Sequence, residues 1–341
     1  MTYSDSPKNS GRGVFVPGRW IPAPVTVSPE AQNLLANPPN LGTAAPPDPH
    51  DIESWRAFCV QVNQMMTHML AQEAGKHPCE VFEHRVGETT LYDIVPANMS
   101  SEDSRRAIYY VHGGAFIHGS GICSVYMAQP LAAVSGLRVL SIDYRMPPDH
   151  PFPIGLEDAL AGYREVIGRF APEQLAVAGP SSGGGLAASL VLKIRDEGLP
   201  MPAACVLATP EADLTESGDT FETNAEIDVI LRKRLTESIA LYAGGHDLRD
   251  PYLSPVFADF SKGFPPTILL SGTRDLFLSN TVRLHRALRK AGIEAELHVW
   301  EAMPHGGFFG APEDAEVLAE QANFIRKRLG AAPRTASSGA A

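Results

Sequence analysis

The stretch LAVAGPSSGGGLAASL, residues 175–190, decides how this sequence folds, because it passes from one kind of structure to another within a few residues. Its first five residues are small or apolar without interruption, which is typical of a strand buried on both faces. The serines and glycines that follow lead into a helical pattern over residues 183–197. A sharp turn between a buried strand and a helix either binds a phosphate or presents a nucleophile.

The phosphate-binding patterns do not fit this turn. A P-loop needs a lysine and a hydroxyl residue directly after its second glycine, but Gly185 and Leu186 follow Gly184. The dinucleotide pattern needs a glycine two residues after the first one, and Ser181 stands two residues after Gly179. The sequence therefore favours a turn that presents a nucleophile.

The pattern that does fit is G-x-S-x-G, formed by Gly179, Ser181 and Gly183. In such a turn the chain crosses itself closely, so the residues two before and two after the serine must be small. Ser181 is the predicted nucleophile. The backbone N–H of Ser182, at the start of the helix, is directed toward the oxygen of a substrate carbonyl.

Strand-like and helical patterns alternate along most of the chain. The strand-like runs cover 81–86, 89–95, 107–113, 137–143, 174–179, 203–209, 267–272 and 295–300, and the helical patterns cover 155–169, 183–197, 279–291 and 312–328. This alternation predicts an α/β protein with an eight-stranded, mostly parallel sheet flanked by helices. The first two runs are close enough to form an antiparallel hairpin at one edge.

Two segments interrupt the alternation and suggest a helical cap over the carboxyl ends of the strands. Residues 1–75 are predicted to form an N-terminal arm and cap helices, and residues 211–249 a second cap segment. The sheet-bearing domain then comprises residues 76–210 and 250–330. The small, polar residues 331–341 are predicted to be a disordered tail.

Composition excludes several classes of function. The formal net charge of −11 argues against nucleic-acid binding, because Lys and Arg are not in surplus. The sequence has neither an apolar run of the ~20 residues that span a bilayer nor the apolar core of a signal peptide, which predicts a cytoplasmic protein without membrane contact. The cysteines fit no zinc spacing and are predicted to be reduced thiols: Cys59, Cys79, Cys123 and Cys205.

A glycine pair follows the strand that ends near residue 111. In HGGA, residues 112–115, the glycines allow backbone N–H groups to turn toward a substrate oxygen. The predicted oxyanion hole therefore consists of the N–H groups of Gly113, Gly114 and Ser182. His112 is predicted to have a structural role.

A serine nucleophile also needs a base and a group that orients the base. His305 follows the last strand run, in a turn with two glycines, where the chain order serine, acid, histidine places the base. Asp275 follows the preceding strand run and is the predicted acid. Asp250 is the alternative, but it lies before that strand. Cys123 is a rival nucleophile, although no glycine stands two residues after it and no base is evident nearby.

These motifs resemble those of the hormone-sensitive lipase family of serine esterases, the bacterial family IV carboxylesterases. The resemblance runs from about residue 80 to 328 and rests on HGGAF at 112–116, DYRMPPDHPFP at 143–153, GPSSGGG at 179–185 and the segments around Asp275 and His305. The family implies the α/β-hydrolase fold. Departures from the family pattern, such as Ala115 in place of a third glycine, leave the reacting groups in place.

The resemblance implies a serine carboxylesterase that acts on short- to medium-chain esters through an acyl-enzyme, with no metal or organic cofactor. A lactone hydrolase with the same triad is the alternative, followed by an amidase and by a ligand receptor, which in this family lacks the histidine. Aromatic residues near the site by sequence predict an apolar pocket: Phe116, Tyr126 and Phe308. The expected partners are a small ester and water, and a homodimer is possible.

Overall fold

The computed structural model of this protein describes residues 16, 18–39, 45–48 and 50–334. Most of the predicted arm before residue 18 and the last seven residues of the predicted tail lie outside the described residues. The first four residues of that tail are described: Ala331 is buried, and Arg334 Nη2 donates a hydrogen bond to the carbonyl of Asn98 at 3.0 Å.

The eight predicted strands form one sheet. They are β1 Cys79–Val86, β2 Thr89–Pro96, β3 Ala107–Val111, β4 Arg138–Asp143, β5 Leu175–Pro180, β6 Ala204–Ala208, β7 Thr267–Gly272 and β8 Ala295–Trp300. Their order across the sheet is β1-β2-β4-β3-β5-β6-β7-β8. Only β2 runs antiparallel to its neighbours β1 and β4, while the pairs from β4 to β8 are parallel. The predicted sheet and its edge hairpin are thus confirmed.

The described residues also form helices, namely α1 Pro29–Ala36, α2 Ile52–Ala74, α3 Ile122–Ser135, α4 Ile154–Ile167, α5 Ser182–Asp196, α6 Thr220–Thr223, α7 Thr236–Ala243, α8 Leu278–Lys290 and α9 Pro312–Arg328. The four predicted helical patterns match α4, α5, α8 and α9. The sequence analysis missed α3, which packs against α2, α9 and the sheet. Because it is covered on several sides, α3 lacks the one-sided apolar stripe that marks a surface helix.

The core lies on both faces of the sheet. One face of β3 and β5 presents Tyr109 and Val177 to α4 and α5, and the other presents Ile108 and Ala176 to α3 and α9. All four of these side chains are fully buried. This double burial explains why the central strands are continuously apolar rather than alternating.

The parallel strands end at one edge of the sheet, and the predicted site residues follow these ends. The glycine pair comes after β3, Ser181 after β5, Asp275 after β7 and His305 after β8. Because the carboxyl ends of parallel strands meet at the same edge, residues far apart in the sequence lie close together there.

The N-terminal segment packs near the loop that follows β8. Val27 and Leu35 contact Met303 and Phe308 in a small apolar cluster. Ser28 also donates two hydrogen bonds, from its N–H and its hydroxyl, to the Glu313 carboxylate at 2.7 Å each. The cap boundaries given above stay a prediction.

Candidate active site

The turn at Ser181 has the tight geometry that its sequence predicts. Ser181 has φ 55° and ψ −129°, a conformation that non-glycine residues rarely adopt. Its N–H donates to the carbonyl of Ala208 at 2.8 Å, which fixes the turn to β6. A Cβ on Gly179 would overlap the carbonyl of Gly183, and a Cβ on Gly183 would overlap that of Val111. Both glycines are therefore required by close backbone approach.

The structure brings the predicted serine, histidine and aspartate into one hydrogen-bonded chain. The Ser181 hydroxyl lies 2.9 Å from His305 Nε2, and His305 Nδ1 lies 2.9 Å from Asp275 Oδ1. Asp275 is fully buried, and it also accepts from the Ser271 hydroxyl at 2.6 Å and from the Phe277 N–H at 2.9 Å. These contacts fix the carboxylate that holds the imidazole.

The imidazole of His305 lies in a buried and negatively charged environment. Burial opposes its positive charge, but the facing Asp275 carboxylate, with Asp228 behind it, outweighs burial and raises the pKa of His305. The ring of Phe277 packs edge-on against the imidazole, with 4.8 Å between the ring centroids. The site thus favours the imidazolium form of His305.

The sequence analysis missed Asp228, which joins the turns that carry Asp275 and His305. Its Oδ2 accepts the N–H of Leu276 at 2.8 Å and the N–H of His305 at 3.1 Å. Asp228 is fully buried, and burial raises the pKa of its carboxyl. One sequence signal could have drawn attention to it, namely a carboxylate between the apolar residues Ile227 and Val229.

The predicted oxyanion residues lie against the serine. A Cβ on Gly113 would come within 2.9 Å of the carbonyl oxygen of Pro180 and 3.4 Å of Ser181 Cβ, so the glycine loop touches the turn. Gly114 has φ 128°, and a Cβ there would overlap the carbonyl of His118. Within the described part of the chain, the N–H groups of Gly113, Gly114 and Ser182 have no hydrogen-bond acceptor. They remain available to a substrate oxygen.

His112 has a structural place beneath this loop. Its ring is fully buried and stacks on Tyr144 at a centroid distance of 4.2 Å, and its carbonyl accepts from the Tyr144 hydroxyl at 3.1 Å. Burial lowers the pKa of His112 to about 4, so the ring is neutral at pH 7. A neutral, stacked imidazole does not compete with His305 for the role of base.

The predicted pocket residues occupy different places. Phe116 is buried and stacks on Tyr242 of α7, with 4.0 Å between ring centroids and 7° between the ring planes. Phe308 is buried in the apolar cluster with α1, in the loop that carries His305. Tyr126 lies in α3 and is partly buried. Phe116 and Phe308 thus lie in the loops that follow β3 and β8, and a pocket role for all three residues stays a prediction.

Asp250, the alternative acid, and Cys123, the alternative nucleophile, are not part of the hydrogen-bonded chain of the site. Asp250 accepts the N–H of Tyr252 at 2.8 Å in a turn before β7. Cys123 is buried in α3, and burial raises the pKa of its thiol, which disfavours the reactive thiolate. The four cysteines are unpaired, as predicted.

A cleft of about 690 Å³ opens beside α2, and no member of the serine–histidine–aspartate chain lines it. Among the described residues, no group of three or more His, Cys, Asp or Glu side chains could hold a metal ion. Across the same part of the chain, no helix is both long and apolar enough to cross a membrane.

Comparison with known proteins places this geometry in a family. Residues 108–309 match the family model described as alpha/beta hydrolase fold. An acetyl-hydrolase of Streptomyces hygroscopicus is 33% identical over 272 residues, which cover 76% of this chain and 88% of the relative. A putative acetyl-hydrolase, LipR, of Mycobacterium tuberculosis is 32% identical over 226 residues, covering 65% of this chain and 73% of LipR.

Solved structures give the same result. The crystal structure of an esterase, E25, superposes with a TM-score of 0.84 at 32% identity and covers 92% of this chain and 98% of its own. An esterase from the bacterial hormone-sensitive lipase family superposes with a TM-score of 0.78 at 29% identity, covering 89% and 99%. The chain belongs to the α/β-hydrolase fold family and, within it, to the hormone-sensitive lipase family of carboxylesterases.

Proposed function

We propose that this protein hydrolyses carboxylic esters with short to medium acyl chains through a covalent acyl-enzyme formed on Ser181. The observation that carries the proposal is the unbroken hydrogen-bonded chain from Ser181 through His305 to Asp275. A hydroxyl, an imidazole and a buried carboxylate in this order are the groups that acyl transfer requires.

In the first half of the reaction, the Ser181 oxygen attacks the ester carbonyl while His305 Nε2 takes the hydroxyl proton. The imidazolium then gives this proton to the leaving alcohol, and the C–O bond of the ester breaks. In the second half, water attacks the carbonyl of the acyl-enzyme while His305 Nε2 takes a proton from it. The proton then returns to the Ser181 oxygen as the acid is released. Asp275 keeps the proton on Nδ1, so that Nε2 is free to act as the base.

The negative charge of each tetrahedral intermediate falls on the former carbonyl oxygen. In the proposed mechanism, the N–H groups of Gly113, Gly114 and Ser182 donate to that oxygen, and each donor is worth about 3 kcal/mol of transition-state stabilisation. The start of α5 adds the positive end of its helix dipole. These groups need no rearrangement when the charge develops.

The preference for short acyl groups is supported by the aromatic packing beside the site. Phe116 and Tyr242 stack closely and are almost fully buried, so they occupy space next to the glycine loop. The names of two relatives, both acetyl-hydrolases, agree with a small acyl group. A ligand receptor without catalysis is the weaker alternative, because His305 is present. Lactone hydrolysis is the other alternative, since the same groups attack lactones and open esters.

The test is a panel of p-nitrophenyl esters with two to sixteen acyl carbons, together with small lactones and anilides. We expect turnover that declines beyond short to medium chains and that disappears in Ser181→Ala. Ser189→Ala is the matched control, because Ser189 is a buried serine of helix α5, directly after the Ser181 turn, and its hydroxyl has no partner among the described residues. Full activity of Ser181→Ala, or no labelling of the native protein by a fluorophosphonate, would contradict the proposal.

A cytoplasmic location and a homodimer are also proposed. Both carry forward expectations of the sequence analysis, and the homodimer rests on the family resemblance. Fractionation of cells that express the native gene and sedimentation of the purified protein test the two separately.

A further inference from the structure

One buried carboxyl group beside the serine turn has no role in the mechanism above. Glu211 follows β6 and is fully buried. Neither of its carboxyl oxygens has a hydrogen-bond partner in the part of the chain that the structure describes. A buried polar group without a partner is costly, and an ionised one is far more so.

The backbone of Glu211 is fastened to the serine itself. Its N–H donates to the carbonyl of Ser181 at 3.0 Å. Its own carbonyl lies so close to α5 that a Cβ on Gly185 would overlap it. Displacement of Glu211 therefore disturbs Ser181 and the first turn of α5, which also carries the N–H of Ser182.

The titratable groups that act on the Glu211 carboxyl are all neutral or acidic. They are Tyr144, which also contacts His112 beneath the glycine loop, Tyr242 of α7, and Glu216. Burial, assisted by Glu216, raises the pKa of Glu211 well above its ordinary value. No cation compensates a negative charge at this position among the described residues that act on it.

We propose that Glu211 is a positioning residue that works only as the uncharged carboxylic acid, and that loss of its proton to solvent disables the serine turn. The inference rests on the proposed function of Ser181. A carboxylate in this dry place has to reach water, which pulls the attached backbone away from Ser181. A negative charge there also opposes the charge that develops in the nearby oxyanion hole.

The experiment is the pH dependence of kcat and KM for a short p-nitrophenyl ester, from pH 5 to pH 10. The native enzyme is compared with Glu211→Gln and Glu211→Met, which cannot ionise. Glu216→Gln is the matched control, because Glu216 is also a buried glutamate but has partners in the N–H of Leu235 and the hydroxyl of Thr236. Thermal unfolding midpoints are recorded at the same pH values.

We expect kcat of the native enzyme to fall on the alkaline side, by about tenfold for each pH unit above the pKa of Glu211. The two Glu211 variants keep their activity there, whereas Glu216→Gln still shows the alkaline loss, at somewhat lower pH because one negative charge near Glu211 is gone. The unfolding midpoint of the native enzyme also falls as pH rises from the ordinary glutamate pKa toward the raised one, because the folded state alone retains the proton. The midpoints of the Glu211 variants fall less, because only the loss that comes from the His305 ion pair remains.

The same alkaline loss in native enzyme and Glu211→Gln would overturn the proposal, as would a native profile that is flat to pH 10. If neither Glu211 variant folds, the unfolding midpoint of the native enzyme tests the proposal. A midpoint that does not change between pH 5 and pH 10 is incompatible with a buried acid that must keep its proton. Failure of the proposed function is recognised separately, by activity in Ser181→Ala at any pH.

Discussion

Replacement of Asp228 by asparagine tests how the two turns of the triad are held together. Asp228 Oδ2 accepts the N–H groups of Leu276 and His305, and its Oδ1 accepts those of Ile230 and Leu231 at 3.0 Å each. Asparagine has the same shape but only one oxygen. Whichever way the amide turns, two backbone donors lose their acceptor and face an NH₂ group.

The size of the stability loss depends on how deeply the four backbone N–H donors are buried. The N–H groups of Leu276 and His305 are buried, whereas those of Ile230 and Leu231 are only partly buried. The amide oxygen therefore turns to the first pair, and water partly reaches the second. With about 1–2 kcal/mol for each orphaned donor, Asp228→Asn lowers the free energy of unfolding by about 2–4 kcal/mol.

The substitution also removes a negative charge that favours the imidazolium of His305. The pKa of His305 then falls, and the acid limb of the pH profile of kcat/KM moves to lower pH. Because the amide oxygen still holds the backbone of His305, kcat at pH 8 falls by less than about tenfold.

Urea unfolding at pH 7.5 measures the first effect, and the pH profile measures the second. Asp213→Asn is the control, because Asp213 is also fully buried and accepts from Thr215, Ser217 and Arg283, but it has no contact with the triad turns. It should lose stability without moving the acid limb. An Asp228→Asn enzyme with native unfolding free energy and a native acid limb would refute the account of Asp228.

Three further predictions concern the triad and its turn. Asp275→Asn should leave the protein folded but lower kcat by about 10⁴-fold, because the amide favours the wrong tautomer of the base; single-turnover kinetics measure this. Gly183→Ala should destabilise the protein by about 3 kcal/mol, since its Cβ would overlap the carbonyl of Val111, while Gly18→Ala, with open space around it, should not change the unfolding midpoint. Because the pKa of His305 is raised, kcat/KM should rise as pH increases through that pKa. The stability that the His305–Asp275 ion pair contributes is complete below the ordinary histidine pKa and is lost as pH rises through the raised pKa. The pH profile of kcat/KM and the unfolding midpoint, both from pH 5 to pH 9, measure the two effects.

The hydrogen-bonded chain of Ser181, His305 and Asp275 could be predicted from the sequence because each member follows a recognisable buried strand. β5, β7 and β8 run parallel, so their carboxyl ends meet at one edge, and the order of Ser181, Asp275 and His305 along the chain then suffices. Helix α3 could not be recognised in this way. Its sequence carries Pro130 and apolar residues on all sides, which fit a helix only once its neighbours are known.

Asp228 and Glu211 escaped prediction for a different reason. Both lie in irregular segments, where no periodicity shows which side chains are buried. Their roles depend on tertiary contacts with Ser181, Leu276 and His305, which are far away in the sequence. Single residues of this kind become visible only when the loops that follow several strands are seen together.

The charges around the triad divide the site into two electrically different halves. Two carboxylates, Asp275 and Asp228, face His305, where positive charge appears when Ser181 loses its proton. On the side of the glycine loop, His112 is neutral and Glu211 has a strongly raised pKa, so neither of these two groups opposes the proposed oxyanion with a fixed charge. In the proposed mechanism, the protein would thus match the charge separation of the transition state at both ends. An ionised Glu211 would break this match on the side where negative charge develops, while neutralisation of Asp228 would weaken it on the other, so the two substitutions should affect opposite limbs of one pH profile.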